Sequence, residues 1–412
     1  MWTERRLATL ERGITGGKWY SLMDKVGDQG NLRFAAWSVI PKDGSPGVDG
    51  ESCKALEAHF EEVNTVLSRE LQTDRYQPKP VKRVWIDKLG SKEKRPLGIP
   101  VVRDRVVQTA LLYVLEPIFE RDFAEYSYGF RPGRSAQQAM ARVEALLKQG
   151  YTWIVDADLK SYFDTIPQDR LLAAVAQKVA DGRVLRLLEK YLRQGVMETA
   201  KGWKPTEQGT PQGAVISPLL ANIYLDPLDQ ALAAHGYEGT RYADDFIIPC
   251  RTPAEAEAAL ALVRQIVTEL GLTLHPQKTR IVEACQPGGF EFLGWHWERG
   301  YQWPREKSVK RFQETIRKKT RRTEGRSMTE IIQDLNRRIK GWCRYFRGGN
   351  GNVYGRLEQW IRMRLRSIQR KRDRRKGRGR GRDHNRYPNA YWAELGLISL
   401  KTLAQAKPAN PA

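Results

Sequence analysis

The residues with the clearest chemical potential are two adjacent aspartates, Asp244 and Asp245, in the segment RYADDFIIPC. The apolar run that follows them favours a β-hairpin with the aspartates at its tight turn. Neighbouring carboxylates repel, and burying either one unpaired costs several kcal/mol. A cation must therefore come to them, or they lie in solvent. Taken alone the pair is a weak signal, because exposed aspartates are common in turns.

A third carboxylate, Asp158, ends a predicted strand in WIVDAD and would lie beside this hairpin. Carboxylates from distant strands can together hold two divalent cations about 4 Å apart. Hard oxygen ligands suit Mg²⁺, with Mn²⁺ able to substitute. Two such ions activate the attacking oxygen and stabilise the leaving oxygen in phosphoryl transfer. Asp156 would share a strand face with Asp158, and we expect it to be a structural hydrogen-bonding carboxylate.

The charge composition favours a polyanionic partner. Lys and Arg number 70 against 48 Asp and Glu, a net charge of +22 over 412 residues. Residues 305–386 alone hold 29 Lys and Arg against 8 Asp and Glu, which is nearly the whole excess. Nucleic acid is the first candidate partner and an anionic membrane face the second.

Cysteine spacing and hydropathy favour a soluble protein of a reducing cytosol. The four cysteines are far apart and form no CxxC pair, so neither a zinc site nor a disulfide framework is indicated. No apolar run approaches the length of a membrane-spanning helix, and the start MWTERRLATLERG lacks the apolar core of a signal peptide.

The elements that must position the acids read as an α+β layer, with helices behind an antiparallel sheet. A basic hairpin is predicted upstream, where KPVKRVWID and RPLGIPVV flank the polar turn LGSKEK. Helix signals follow: Ser135 and Ser217 as N-caps, Thr252 before a third helix, and Gly271 at its end. Residues 307–375 read as basic and helical, with Trp342 and Trp360 expected in a helical core.

Ordered motifs carry a family resemblance. VDADLKSYFD, QGTPQGAVISPLLANIYL, RYADDF, LHPQKTR and FEFLGW occur in the order of the catalytic motifs of reverse transcriptases, which they resemble. GVDG, RPLGIP, SYGFRPGRSA and KGWCRYF resemble in particular the reverse transcriptase/maturases encoded by bacterial group II introns. The resemblance covers residues 45–375, and the tail RYPNAYWAELGLISL is similar to the ends of compact members.

This resemblance implies a right-hand polymerase with four segments. Residues 1–45 would be an N-terminal extension and 46–300 the fingers and palm. Residues 301–375 would form an α-helical thumb, which doubles as the maturase or X domain, and 376–412 a basic linker and short tail. Because few residues follow the thumb, we expect no HNH endonuclease. Any mobility would then rely on a primer supplied elsewhere.

The same resemblance implies roles at the acidic site. Asp158 and Asp244 would be the principal metal ligands, and Asp245 would complete the site. Asp164 matches no ligand position. Lys278 matches the lysine that protonates or neutralises the departing pyrophosphate.

Nucleotide contacts are implied in the same way. Phe163 would lie under the incoming sugar and exclude a 2′-hydroxyl, although a core aromatic is the alternative. Gln212 would touch the incoming nucleotide and the template. Arg95 would clamp the triphosphate, with Lys94 and Lys82 as helpers unless they are merely solvated charges.

Duplex contacts are implied further along the chain. The segment from Phe290 to Trp295, centred on Phe292, Leu293 and Gly294, would be the primer grip. The basic helices of the thumb would hold an A-form RNA–DNA duplex by its backbone and shape. The same surface would bind intron RNA and help it to splice.

The implied function is an RNA-directed DNA polymerase that extends a DNA primer on an RNA template with dNTPs, and that supports intron splicing and retromobility. It would work in the bacterial cytosol, nucleoid-associated when active. Three alternatives stay open: a related reverse transcriptase recruited to host defence or repair, a splicing maturase that no longer polymerises, and an RNA-dependent RNA polymerase. The sequence makes no prediction of oligomeric state.

Overall fold

The computed structural model describes residues 17–87, 94–198, 202–350, 352–376 and 381–405, without the side chain of Arg95. The start of the predicted N-terminal extension, the hairpin turn LGSKEK except for its last residue Lys94, part of the basic linker and the end of the tail lie outside the described residues. The chain divides into two compact units between Ile281 and Val282.

The first unit contains two four-stranded sheets. In chain order its strands are β1 (Val81–Asp87), β2 (Lys94–Ile99), β3 (Trp153–Asp158), β4 (Val196–Glu198), β5 (Gly202–Lys204), β6 (Thr240–Tyr242), β7 (Asp245–Cys250) and β8 (Arg280–Glu283), in which the unit ends. One sheet has the order β2-β1-β4-β5 and the other β6-β7-β3-β8. The predicted basic hairpin is β1–β2 and the Asp-Asp hairpin is β6–β7, both antiparallel.

Helices back these sheets, as predicted for an α+β layer. Those of the first unit are Met23–Val26, Gln29–Val39, Cys53–Ala58, Phe60–Gln72, Val102–Glu120, Ala136–Lys148, Tyr162–Thr165, Gln168–Ala176, Gly182–Arg193, Ser217–Ala234 and Pro253–Glu269. The helix Pro253–Glu269 packs on β3 and β7 and buries Val263 and Val267. Ile247 and Ile248 of β7 are fully buried. The acidic hairpin is therefore anchored by an apolar strand.

Local helix signals were confirmed at two of three starts. The Ser135 and Thr252 side chains accept the backbone N–H groups of Gln138 and Glu255. The prediction that Ser217 is an N-cap is wrong, because Ile216 holds that position. The Ser217 hydroxyl instead donates to the Pro211 carbonyl at 3.0 Å and ties the helix to the preceding loop.

The end of the helix Pro253–Glu269 has the predicted glycine. Gly271 has φ +69°, in the left-handed region that glycine tolerates best. The backbone N–H of Gly271 donates to the Thr268 carbonyl, and that of Leu272 donates to the Val267 carbonyl. These bonds satisfy carbonyls that the helix end leaves open.

The second unit joins a small sheet to basic helices. Its strands β9 (Phe290–Phe292), β10 (Trp295–Glu298) and β11 (Tyr301–Pro304) form an antiparallel sheet of order β11-β10-β9. Its helices are Glu306–Lys319, Met328–Tyr345, Val353–Arg372, Asp383–Arg386, Asn389–Glu394 and Leu400–Gln405. The helical character predicted for the basic segment is confirmed.

The two tryptophans expected in the helical core differ. Trp342 is half-buried and stacks on Phe312 with ring centroids 4.7 Å apart, inside an aromatic cluster. The prediction for Trp360 is wrong, because the guanidinium groups of Arg317 and Arg364 lie over this half-buried ring, 5.5 and 5.3 Å from its centroid. Guanidinium groups over an aromatic face form cation–π contacts at the helix surface.

A separate finding concerns all of these helices. Among the described residues, no helix is long and apolar enough to cross a bilayer.

Candidate active site

Strand pairing brings the three predicted metal ligands to one edge of the sheet β6-β7-β3-β8. Asp158, at the end of β3, lies directly opposite Asp245, at the start of β7. Directly opposed residues of an antiparallel pair project from the same face, with Cβ atoms about 5 Å apart. Asp244 precedes Asp245 in the two-residue turn from β6. Ala243 takes up φ +60° in this turn, which a tight hairpin requires.

Basic side chains contact both carboxylates of β3, those of Asp156 and Asp158. The Lys278 ammonium donates to the Asp158 carboxylate, and the Arg280 Nε donates to that of Asp156 at 3.3 Å. Asp156 is thus paired with a cation, which agrees with the structural role expected of it. The Lys278 side chain is 60 % exposed to solvent, so this ion pair lies at the surface.

The three carboxylates are ligands of the type that a hard divalent cation binds. Carboxylate oxygens are the ligands that Mg²⁺ prefers, and three of them gather at this edge. No group of three His, Cys, Asp or Glu side chains among the described residues is close enough to hold a metal ion as it stands. The Lys278 ammonium supplies the positive charge that the Asp158 carboxylate requires. A metal at this carboxylate would therefore compete with Lys278.

The PQG loop packs against the residues that were expected to meet the nucleotide. The backbone N–H of Thr210 donates to the Phe163 carbonyl at 2.7 Å. The Gln212 side chain donates to the Asp164 carboxylate at 2.9 Å, and its carbonyl accepts from the Gly98 N–H of β2 at 2.7 Å. Asp164 thus serves to hold Gln212.

A glycine makes this close approach possible. Gly213 has φ +107°, and a Cβ there would overlap the Gly98 carbonyl oxygen. Beside the loop is a cavity of about 350 Å³ lined by residues that include Arg83, Asp164, Lys204 and Gln212. The loop thus joins the basic hairpin to the helix that carries Phe163.

The other residues expected to contact the nucleotide have fewer defined contacts in the structure. Phe163 is half-buried and packs edge-on against Tyr162, with ring centroids 5.5 Å apart. On the basic hairpin Lys94 is exposed and Lys82 is half-buried. The side chain of Arg95 lies outside the described part of the chain.

Sequence reasoning missed a buried polar network behind the acidic turn. Arg241, Asp229 and Asn222 are each 1 % exposed. The Arg241 Nε donates to both Asp229 oxygens at 2.9 Å. Its Nη1 donates to the Asn222 side-chain oxygen and to the Ala243 carbonyl, both at 2.9 Å. The network therefore holds the residue that precedes Asp244.

Pairing with Asp229 keeps the buried Arg241 guanidinium ionised. Burial alone would lower the pKa of Arg241, but the charge and hydrogen bonds of Asp229 outweigh it, and the pKa is raised. A signal for the network was present in the sequence. Asn222 and Asp229 lie seven positions apart, which is about two turns, on the largely apolar helix Ser217–Ala234.

In the second unit, the predicted primer grip is a tight hairpin between β9 and β10. Leu293 and Gly294 form its two-residue turn, with φ +48° and +85°. The Tyr345 hydroxyl donates to the Leu293 carbonyl at 2.8 Å, and the Ser308 hydroxyl donates to that of Gly294 at 3.0 Å. The Phe292 side chain is buried at 1 % exposure, so it supports the hairpin and leaves Leu293 and Gly294 available for contacts.

The same unit holds a cavity of about 380 Å³ whose described lining residues are all cationic, namely Arg322, Lys371, Arg374, Arg375 and Lys376. Of these, Arg375 lies 3.6 Å from the Asp383 carboxylate. The other four have no acidic partner among the described residues. Such a cluster is favourable only when anions offset its mutual repulsion, and phosphate groups of a nucleic acid would do so.

Two family profiles match the chain. Residues 82–297 match the family described as reverse transcriptase (RNA-dependent DNA polymerase), which is more than half of the chain. Residues 309–388 match the maturase-specific domain of group II introns. The chain belongs to the group II intron-encoded reverse transcriptases. The family predicted from the ordered motifs is thereby confirmed, and with it an RNA-directed DNA polymerase that carries a maturase domain.

Individual relatives agree with this assignment. The chain is 36% identical to Protein YkfC of Escherichia coli over 330 residues, which are 70% of this chain and 82% of YkfC. It is 40% identical to the group II intron-encoded protein LtrA of Lactococcus lactis over 200 residues, 48% of this chain but only 33% of LtrA. Among solved structures, telomerase from Candida albicans is similar at 12% identity and a TM-score of 0.45, over 85% of this chain and 71% of that chain. The last likeness is too distant to bear on function.

Membership of this reverse transcriptase family has two general consequences. Its enzymes use divalent metal ions, and its partners are RNA and DNA. Both agree with the acidic edge of the first unit and the cationic cavity of the second.

Proposed function

We propose that this reverse transcriptase extends a DNA primer on an RNA template through two Mg²⁺ ions held by Asp158, Asp244 and Asp245. We assign the fingers and palm to residues 46–300 and the thumb or X domain to 301–375. The observation that carries the proposal is the strand register, which sets Asp158 opposite Asp245 with Asp244 beside it. Mn²⁺ would fit the same oxygen ligands.

The chain's own groups have distinct tasks in this mechanism. Bound metal ions would supply activation of the attacking oxygen and stabilisation of the leaving oxygen. Gln212 and Asp164 fix the loop on which the nucleotide and template base rest. Phe163 limits the space under the incoming sugar and so selects dNTPs. Lys278 presents an ammonium to the departing pyrophosphate.

The second unit would serve RNA. Leu293 and Gly294 would contact the primer backbone, and the arginine-rich helices would hold the RNA–DNA duplex. The cationic cavity would bind phosphates of the intron RNA. Through this binding the protein would assist splicing, and splicing in turn supports retromobility. Because its substrates are RNA and DNA, we place the enzyme in the bacterial cytosol, nucleoid-associated when active.

The test is primer extension on an RNA template with Mg²⁺, run with dNTPs, with rNTPs and with Asp244→Asn. We expect extension with dNTPs by the wild type and none by the variant. RNA affinity should be unchanged in Asp244→Asn, because the basic helices are intact. Absent extension with tight, salt-sensitive RNA binding would instead indicate a maturase that no longer copies.

A further inference from the structure

One aromatic residue is both exposed and strained. Phe130 lies in the segment SYGFRPGRSA, and its ring is 53 % exposed. Its backbone has φ +58°, in the left-handed region that bulky side chains avoid. Neither feature is favoured by folding alone, and residues of this kind concentrate at functional sites.

The Phe130 ring lies beside the acidic turn. Its centroid is 6.2 Å from that of Tyr242, and the two rings are tilted by 44°. Tyr242 is directly opposite Asp245, and Asp245 is directly opposite Asp158. Opposed residues share a face, so Tyr242, Asp245 and Asp158 form a row about 10 Å long across three strands. The aromatic pair stands at one end of this row.

The backbone before Phe130 is fixed to the same turn. A Cβ at Gly129 would overlap the Ala243 nitrogen, so only glycine permits this approach. The Asn222 side chain donates to the Gly129 carbonyl at 2.8 Å. The same amide accepts from Arg241, which also holds the Ala243 carbonyl. The Phe130 loop and the acidic turn are therefore held by one buried network.

We propose that Phe130 and Tyr242 form an apolar platform for the last base pair at the 3′ end of the primer. The proposal rests on the polymerase function proposed above and adds a binding subsite to it. Aromatic faces stack on any base or sugar without reading its hydrogen bonds. Such a surface suits an enzyme that must copy every sequence while holding the 3′ end beside its carboxylates.

Phe130→Gly and Phe130→Asn separate this role from a structural one. Glycine and asparagine tolerate the left-handed backbone, so both variants should unfold at the same or higher temperature than the wild type. Both should raise the KM for primer–template about tenfold, with the KM for dNTP nearly unchanged. Phe130→Tyr should retain wild-type behaviour, and Trp37→Ala, which removes a 67 % exposed aromatic from the helix Gln29–Val39, is the control.

A readout independent of catalysis is the fluorescence of 2-aminopurine at the primer 3′ terminus. Stacking should quench it when the wild type binds, and much less when Phe130→Gly binds. Equal quenching and equal KM in both proteins would overturn the platform, and so would a loss of thermal stability in Phe130→Gly. Failure of the wild type to extend would instead refute the polymerase proposal, and the fluorescence comparison would still test the platform.

Discussion

At the scale of single residues, the buried Arg241 does more for the site than its exposure suggests. It neutralises Asp229, and it binds the carbonyl of the residue before Asp244. A charge pair buried this deeply is costly to break, because removing one partner strands the other in an apolar interior. The network links stability to the position of a carboxylate.

Replacing Arg241 tests this link. We expect Arg241→Met to lower the free energy of unfolding by about 3–5 kcal/mol, since Asp229 is left charged and unpaired. The double variant Arg241→Met/Asp229→Leu should regain much of this loss in urea unfolding. It should still extend primers poorly, because nothing then holds the Ala243 carbonyl. Full recovery of extension in the double variant would mean that the pair serves stability alone.

Phe163 is the residue on which sugar selection should depend. Phe163→Ala opens space under the incoming sugar, and we expect incorporation of rNTPs relative to dNTPs to rise at least about tenfold. Single-nucleotide extension measures this ratio. Phe163→Leu, which keeps most of the bulk, is the matched control. A variant that loses stability and slows both substrates equally would identify Phe163 as a core aromatic packed on Tyr162.

At the scale of elements, one carboxylate joins two basic helices of the second unit. Asp334, on Met328–Tyr345, accepts from Lys319, at the end of Glu306–Lys319, at 2.7 Å. Arg337 and Arg326 lie 3.2 and 3.4 Å from the same carboxylate. The Lys319 hydrogen bond in particular lowers the pKa of Asp334 to about 2. Helices that carry so much positive charge are held together by this shared anion.

The pH dependence of stability follows from this shift. The folded-state pKa of Asp334 is below its unfolded value, so its contribution is complete above pH 4 and is lost as pH falls toward 2. We expect Asp334→Asn to unfold about 1–2 kcal/mol more easily at pH 7, with a difference that shrinks below pH 4. Urea midpoints at pH 7, 5 and 3 measure it. Glu306→Gln, which breaks an exposed pair with Lys310, should change little, and a pH-independent difference for Asp334→Asn would contradict the assignment.

At the scale of the whole molecule, charge governs the affinity for RNA. If six to ten phosphates are contacted, affinity should fall about 10³–10⁵-fold between 50 and 200 mM salt. Lys371→Gln/Arg374→Gln removes two cations of the cavity and should make the slope of log K against log salt shallower by about 1.4–1.8. Lys148→Gln, an exposed lysine of the first unit, is the control. Parallel salt plots for all three proteins would exclude the cavity from RNA binding.

Features that depend on residues close together in the sequence were predictable. The two hairpins, the caps at Ser135 and Thr252, the basic helices and the family could be predicted because local pattern and motif order determine them. The Ser217 cap failed because its hydroxyl bonds a carbonyl six residues earlier instead of the helix. The Trp360 prediction failed because helical spacing does not reveal which groups pack over a ring.

Contacts between distant residues depend on folding. Lys278 meets Asp158 across 120 positions, and Asn222 meets Gly129 across 93. No local pattern specifies such partners, since each pair forms only after strands and helices have packed. The sequence thus identifies which acids could do chemistry, whereas their pairing, their buried support and the place of Phe130 beside them arise from packing of the folded chain.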